Sequence, residues 1–224
     1  MWKIAEACLL CIGIICVCSA RPCPTQEQTR NPSCFACSSS YFTLDDFEKQ
    51  RVVDSPDGQK RVQLTKSGKF RVLIGDVVTA EITMPEISCN IEVGWSPDSE
   101  QFFISYSDGG AAGGYYVHMY IVKGNTLSES NVPSMVMQRF KSKHWCATRG
   151  DNLYFLAWTP DSKIAFLVAE VYPTSDCGKE MGTLRGYAAD TASAKVLRVF
   201  GQKQTDAIEK ECRASGRLEL KSSR

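Results

Sequence analysis

Trp95-Ser96-Pro97-Asp98-Ser99, reached through Ile91-Glu92-Val93-Gly94 and left through Phe102-Phe103-Ile104-Ser105-Tyr106, decides how the chain is read. Proline presets φ near −65° at the second corner position, and aspartate tolerates the bridge or left-handed region at the third. The serine hydroxyl can bond back to the turn's own backbone. The flanking residues are β-branched, aromatic and aliphatic, so the corner joins two antiparallel strands. The same corner occurs twice more. Ser55-Pro56-Asp57-Gly58 lies between Arg51-Val52-Val53 and Arg61-Val62-Gln63-Leu64. Thr159-Pro160-Asp161-Ser162 lies between Tyr154-Phe155-Leu156-Ala157-Trp158 and Ile164-Ala165-Phe166-Leu167-Val168.

Outward from each hairpin the β-type pattern continues. Third strands are expected at 70–74, 115–121 and 184–187, and fourth strands at 77–82, 135–140 and 195–200. The copies start 41 and then 63 residues apart, the second interval being stretched by longer loops. Four strands per repeat, at a period of about 40 residues or more, mark a propeller blade. Trp-Ser-Pro-Asp at 95–98 and Trp-Thr-Pro-Asp at 158–161, each followed by a hydrophobic strand, resemble the β-propeller repeats of TolB and of prolyl-oligopeptidase-type propellers over residues 42–200. The first copy departs twice: Asp54 stands where the others carry tryptophan, and glycine ends that copy alone. The resemblance implies an all-β, propeller-like array of three four-stranded antiparallel blades with a short C-terminal helix. It further implies rim loops that present a contact for a protein, peptide or glycan, although a fold does not by itself confer a function.

Propellers usually close with four to eight blades, so three leave two end faces. If each face held about 400 Å² of apolar area, roughly 10 kcal/mol of burial would be forgone per face at ~25 cal/mol/Å². That rivals the whole stability of a domain, about 5–15 kcal/mol. Three arrangements answer this. Residues 24–50 could cover one face and a helix near 206–212 the other, with Asp206 as its cap and Glu209 at the third position. Two chains could pair as a homodimer into a six-bladed ring. The strands could instead form a sandwich.

Residues 1–20 read as a signal peptide: Lys3 precedes an apolar run at 7–17, and Cys18-Ser19-Ala20 offers small residues before a cleavage site. The chain is then secreted or periplasmic, with no transmembrane segment once the signal is removed. Residues 21–41 are a Cys/Pro/Ser-rich linker, 42–204 the repeat domain, and 205–224 a C-terminal helix and basic tail. Cys23, Cys34, Cys37, Cys89, Cys146, Cys177 and Cys212 remain beyond the signal, an odd number in a compartment that favours disulfides. Spacing does not fix the connectivity; Cys146 and Cys177 are named as partners only because each sits in a loop flanking the same repeat. A net charge of +1 in 224 residues offers no electrostatic reason to expect nucleic acid or an anionic membrane as partner.

Both histidines lie beside aromatic residues. His118 shares one face of its strand with Tyr116 and Tyr120, with Tyr115 at the strand's start, and His144 precedes Trp145 and Cys146 in a basic loop. These six aromatic and imidazole side chains are the candidate binding residues, within the loops 107–114 and 141–151 and the strand between them. A Cys-His nucleophile would need a thiolate beside a base, which adjacency in sequence does not supply. No G-x-S-x-G or H-E-x-x-H occurs, and Cys34-Phe35-Ala36-Cys37 is a lone C-x-x-C, so no catalytic residue, metal or cofactor is expected. The sequence therefore reads as a non-catalytic exported binding module with a protein or peptide partner. Its rivals are a propeller-based hydrolase or lyase using Asp57, Asp98 and Asp161, and a structural half of a larger oligomeric propeller.

Overall fold

The computed structural model describes residues 40–42, 51–84, 91–107 and 114–214. The signal, most of the linker, the glycine-rich stretch 108–113, Cys23, Cys34, Cys37, Cys89 and the tail beyond 214 lie outside the described residues.

Three antiparallel meanders follow one another along the chain. The first sheet is β2 (Val52–Asp54), β3 (Lys60–Leu64), β4 (Lys69–Ile74) and β5 (Val77–Thr83). The middle sheet is β6 (Ile91–Trp95), β7 (Gln101–Ser107), β8 (Tyr115–Lys123) and β9 (Thr126–Glu129). The last is β10 (Leu153–Trp158), β11 (Ile164–Glu170), β12 (Leu184–Asp190) and β13 (Val196–Phe200). A short strand the repeat pattern does not announce, β1 (Ser40–Phe42), pairs with β6 and makes the middle sheet five-stranded.

The three Pro-Asp corners share one hydrogen-bond plan. Ser55 Oγ donates to Asp57 Oδ1 at 2.6 Å and accepts the Lys60 N–H at 2.9 Å, while Asp57 Oδ1 accepts the Gln59 N–H at 3.0 Å. Ser96 and Asp98 repeat this with Gln101 and Glu100, and Thr159 and Asp161 with Ile164 and Lys163. The fourth position takes positive φ in every copy: Gly58 at 69°, Ser99 at 63° and Ser162 at 59°.

Alternation then divides each sheet into two faces. Val62, Leu64, Phe70 and Val72 of the first sheet pack against Ile91, Val93, Trp95, Phe102 and Ile104 of the middle one. Phe103, Val117 and Met119 on the other face of the middle sheet meet Leu153, Phe155, Trp158 and Leu167 of the last. Stacking sheet on successive sheet is a propeller-like order, and two facing layers would not produce it.

Residues 135–140, expected as a strand, are helical. Helix α1 (Val132–Lys141) has Pro133 in its first turn and Arg139 and Lys141 in its last. Its buried residues Val132, Val136, Met137 and Phe140 recur with helical spacing. They pack between the middle and last sheets, and β9 supplies the middle sheet's outer strand instead.

The end faces are dealt with differently. On the last sheet, helix α2 (Gln202–Ala214) lays Ile208 and Cys212 over Phe166, Leu184 and Phe200. This is the C-terminal cover expected, but α2 begins earlier than 206. Gln204 N–H and Thr205 N–H bond to the Gly201 carbonyl, and Gln204 Oε1 accepts the Gly201 N–H at 3.3 Å. Asp206 is therefore inside the helix and does not cap it. The far face of the first sheet carries ion pairs beside the exposed Val52 and Val78, and of the segment 24–50 expected to cover an end face only 40–42 are among the described residues. Arg71 pairs with Glu81 at 2.7 Å, Lys69 with Glu81 at 3.7 Å, and Arg61 with Asp54 at 3.7 Å.

Candidate functional site

The six candidate residues occupy three places. Tyr116, His118 and Tyr120 alternate along β8 and stack into a ladder with β7. The ring centroids of Tyr106 lie 5.3 Å from Tyr116 and 6.0 Å from His118, and Phe102 stacks on Tyr120 at 5.1 Å. His118 Nδ1 lies 2.8 Å from Glu129 Oε1 on the neighbouring β9. Tyr120 is buried, and burial pushes its phenol well above the usual range, with the charge of Glu129 adding to the effect. The ladder continues the core between the first two sheets, and only its Tyr116 and His118 end is half-exposed. Tyr115 points the other way, edge-on to Tyr154 at 6.3 Å, with its N–H on Asn152 Oδ1.

His144 and Trp145 stand at the corner where α1 ends. His144 lies against Phe140 with ring centroids 4.6 Å apart, its Nδ1 3.7 Å from Glu180 Oε1. Burial holds its imidazole below the usual histidine range, reinforced by the charge of Arg185 and opposed by Glu180. The next five residues form a 3-10 turn (Trp145–Arg149). There Cys146 is bonded to Cys177, the pairing the repeat layout suggests, and the Cys146 N–H donates to Glu180 Oε2 at 3.0 Å. One carboxylate thus holds Cys146 and lies against His144, the two neighbours of Trp145, which is itself 57% exposed. Met181, next to Glu180, is 51% exposed. Glu180 and Phe140 were not singled out from the sequence, because nothing local links positions 140, 146 and 180.

The residues that would carry chemistry are otherwise engaged. Cys146 is a disulfide cysteine, so its sulfur cannot act as a nucleophile towards which His144 would serve as base. Asp57, Asp98 and Asp161 each accept a corner hydroxyl and a backbone N–H. The Ser55 hydroxyl and the Gln59 N–H hold the Asp57 carboxyl down at about 2, and the Thr159 hydroxyl lowers Asp161 likewise. No group of three or more histidine, cysteine or acidic residues able to hold a metal occurs among the described residues. Close by, Gly150 packs directly on the Tyr172 ring and Asp151 pairs with Lys141.

A second feature was not visible in the sequence. The face of α1 turned away from the core, together with residues 193–199, lines an open groove of about 890 Å³. Reading 135–140 as a strand hides it, since the groove wall is a helical stripe of residues three and four apart. No helix among the described residues is long and apolar enough to cross a membrane. No protein-family model matches the chain, and no curated protein matches it.

Proposed function

We propose that the chain is a non-catalytic, exported binding module that engages a protein or peptide partner through the corner built around Trp145. One observation carries this reading: Trp145 is 57% exposed while the residues on both sides of it are anchored, His144 on Phe140 and Cys146 to Cys177 and Glu180. An exposed indole on an ordered platform loses little further freedom on binding and offers a large apolar contact, the usual character of an interface anchor. Export is supported by the disulfide, which persists in oxidising compartments.

The test is capture on immobilised protein from the native envelope or culture medium, with identification by mass spectrometry and repetition with Trp145→Ala. A specific partner retained by the parent and lost by at least tenfold in the variant, at unchanged melting temperature, is the expected outcome. A partner held equally well by the variant would move the contact away from this corner.

A further inference from the structure

Ser134, Met135, Gln138 and Arg139 form one wall of the 890 Å³ groove, and the region of β13 forms the other. Seven consecutive residues, 193–199, line it, and 196–199 of these belong to β13. A strand face offers alternate residues only, so successive ones meet a groove through the strand's edge. Among the described residues β13 is the outermost strand of its sheet and pairs with β12 alone. Its other edge therefore presents unpaired backbone donors and acceptors along the groove.

The side chains around that edge specify a partner. Arg139, Lys195 and Arg198 are exposed, line the groove and have no carboxylate within ion-pairing distance among the described residues. No acidic side chain lines it. Met135, Leu197 and Val199 are exposed large apolar side chains at the same place. We infer that the groove binds an extended acidic peptide with aliphatic residues in alternation, which adds to β13 as a further strand. Main-chain hydrogen bonds supply the pairing, and alternating side chains meet the cations and the apolar contacts. A second copy of this chain fits less well, since antiparallel pairing of two β13 edges would bring the same cations together. The five-residue edge spans about 17 Å at ~3.4 Å per residue, so a short peptide suffices. This site is separate from the Trp145 corner and does not depend on it.

The experiment titrates the full, disulfide-intact chain with a fluorescent hexapeptide of alternating glutamate and valine, and with its lysine-valine counterpart, by anisotropy. Backbone hydrogen exchange is recorded with and without each peptide. The acidic peptide should bind saturably and the basic one should not, with protection gained at β13 amides. Lys195→Glu, Arg198→Glu and Arg139→Glu should each weaken binding at least fivefold. All three side chains are exposed, and exchange at β11 confirms that each variant is folded. Trp145→Ala should bind the peptide like the parent. Failure of the acidic peptide to bind, equal binding of the two peptides, or binding without protection of β13 would overturn the inference. So would charge variants with unchanged affinity, or β13 protection that appears with rising protein concentration and no peptide, which would make a second copy the occupant.

Discussion

Trp95 and Trp158 hold the same place in two corners and meet different surroundings. Trp95 Nε1 donates to the Val53 carbonyl of the preceding sheet at 3.1 Å, a buried bond between neighbouring blades. Trp158 Nε1 is buried without a hydrogen-bond partner among the described residues, at the boundary where α1 is packed between the sheets. Trp95→Phe should therefore cost about 1–2 kcal/mol by strengthening nothing and stranding a buried acceptor. Trp158→Phe removes an unmet donor along with some packing and should cost clearly less; urea denaturation of the two variants checks the order. Two carboxylates make opposite pH demands. The folded pKa of Asp57, about 2, lies below its ordinary value of 3.8. Its contribution is thus complete above the ordinary value and disappears as pH falls through the folded one. Glu170 is shifted upward by burial and then by the charge of Glu209, so it stabilises the fold when protonated and the benefit is lost as pH rises. Melting temperatures across the acid range should show Asp57→Asn flattening the loss at low pH. Glu170→Gln should raise the melting temperature at neutral pH more than at pH 4.

At the scale of elements, the fourth corner position ties blade to blade. Asp57 N–H donates to Ser99 Oγ, and Asp98 N–H donates to Ser162 Oγ, both at 3.0 Å. Each serine reaches back to the corner before it. Gly58 has no preceding corner among the described residues to reach, and Asp54 likewise stands where a tryptophan would need a preceding sheet to enter. Both departures of the first repeat thus belong to the sheet that has no preceding sheet among the described residues. At the other end, α2 approaches β12 across Gly186, where a Cβ would lie 2.6 Å from Phe166 Cζ and 2.8 Å from Thr205 Oγ1. Gly186→Ala should push α2 off the sheet and cost about 1–3 kcal/mol. Increased hydrogen exchange in α2, with β6 and β7 unchanged, would locate the damage there.

For the molecule as a whole, the two ends differ in chemistry: ion pairs on the first sheet, a helix over the last. A six-bladed ring would have to bury those ion pairs and displace α2, and buried charge is costly unless fully paired. Light scattering should accordingly report a monomer, and a stable dimer would show that this end chemistry does not govern assembly. The same contrast shows which parts of the fold were legible beforehand. The hairpins were, since corner and flanking alternation are local. Helix α1 was not, because residues 135–140 alone are short and rich in apolar side chains, and only Val132 and Pro133 upstream reveal the helical spacing. The pairing of β1 with β6 was not, because it joins residues some 50 positions apart that share no motif.

The three hairpins, the positions of their corners and the alternation that gives each sheet two faces follow from the amino acids in order, since φ preferences and side-chain periodicity act over a few residues. Tertiary structure alone decided that β1 joins the middle sheet, where α1 lodges, and that Glu180 lies against the residues around Trp145. Those outcomes depend on contacts between distant segments, where packing space and desolvation outweigh local preference.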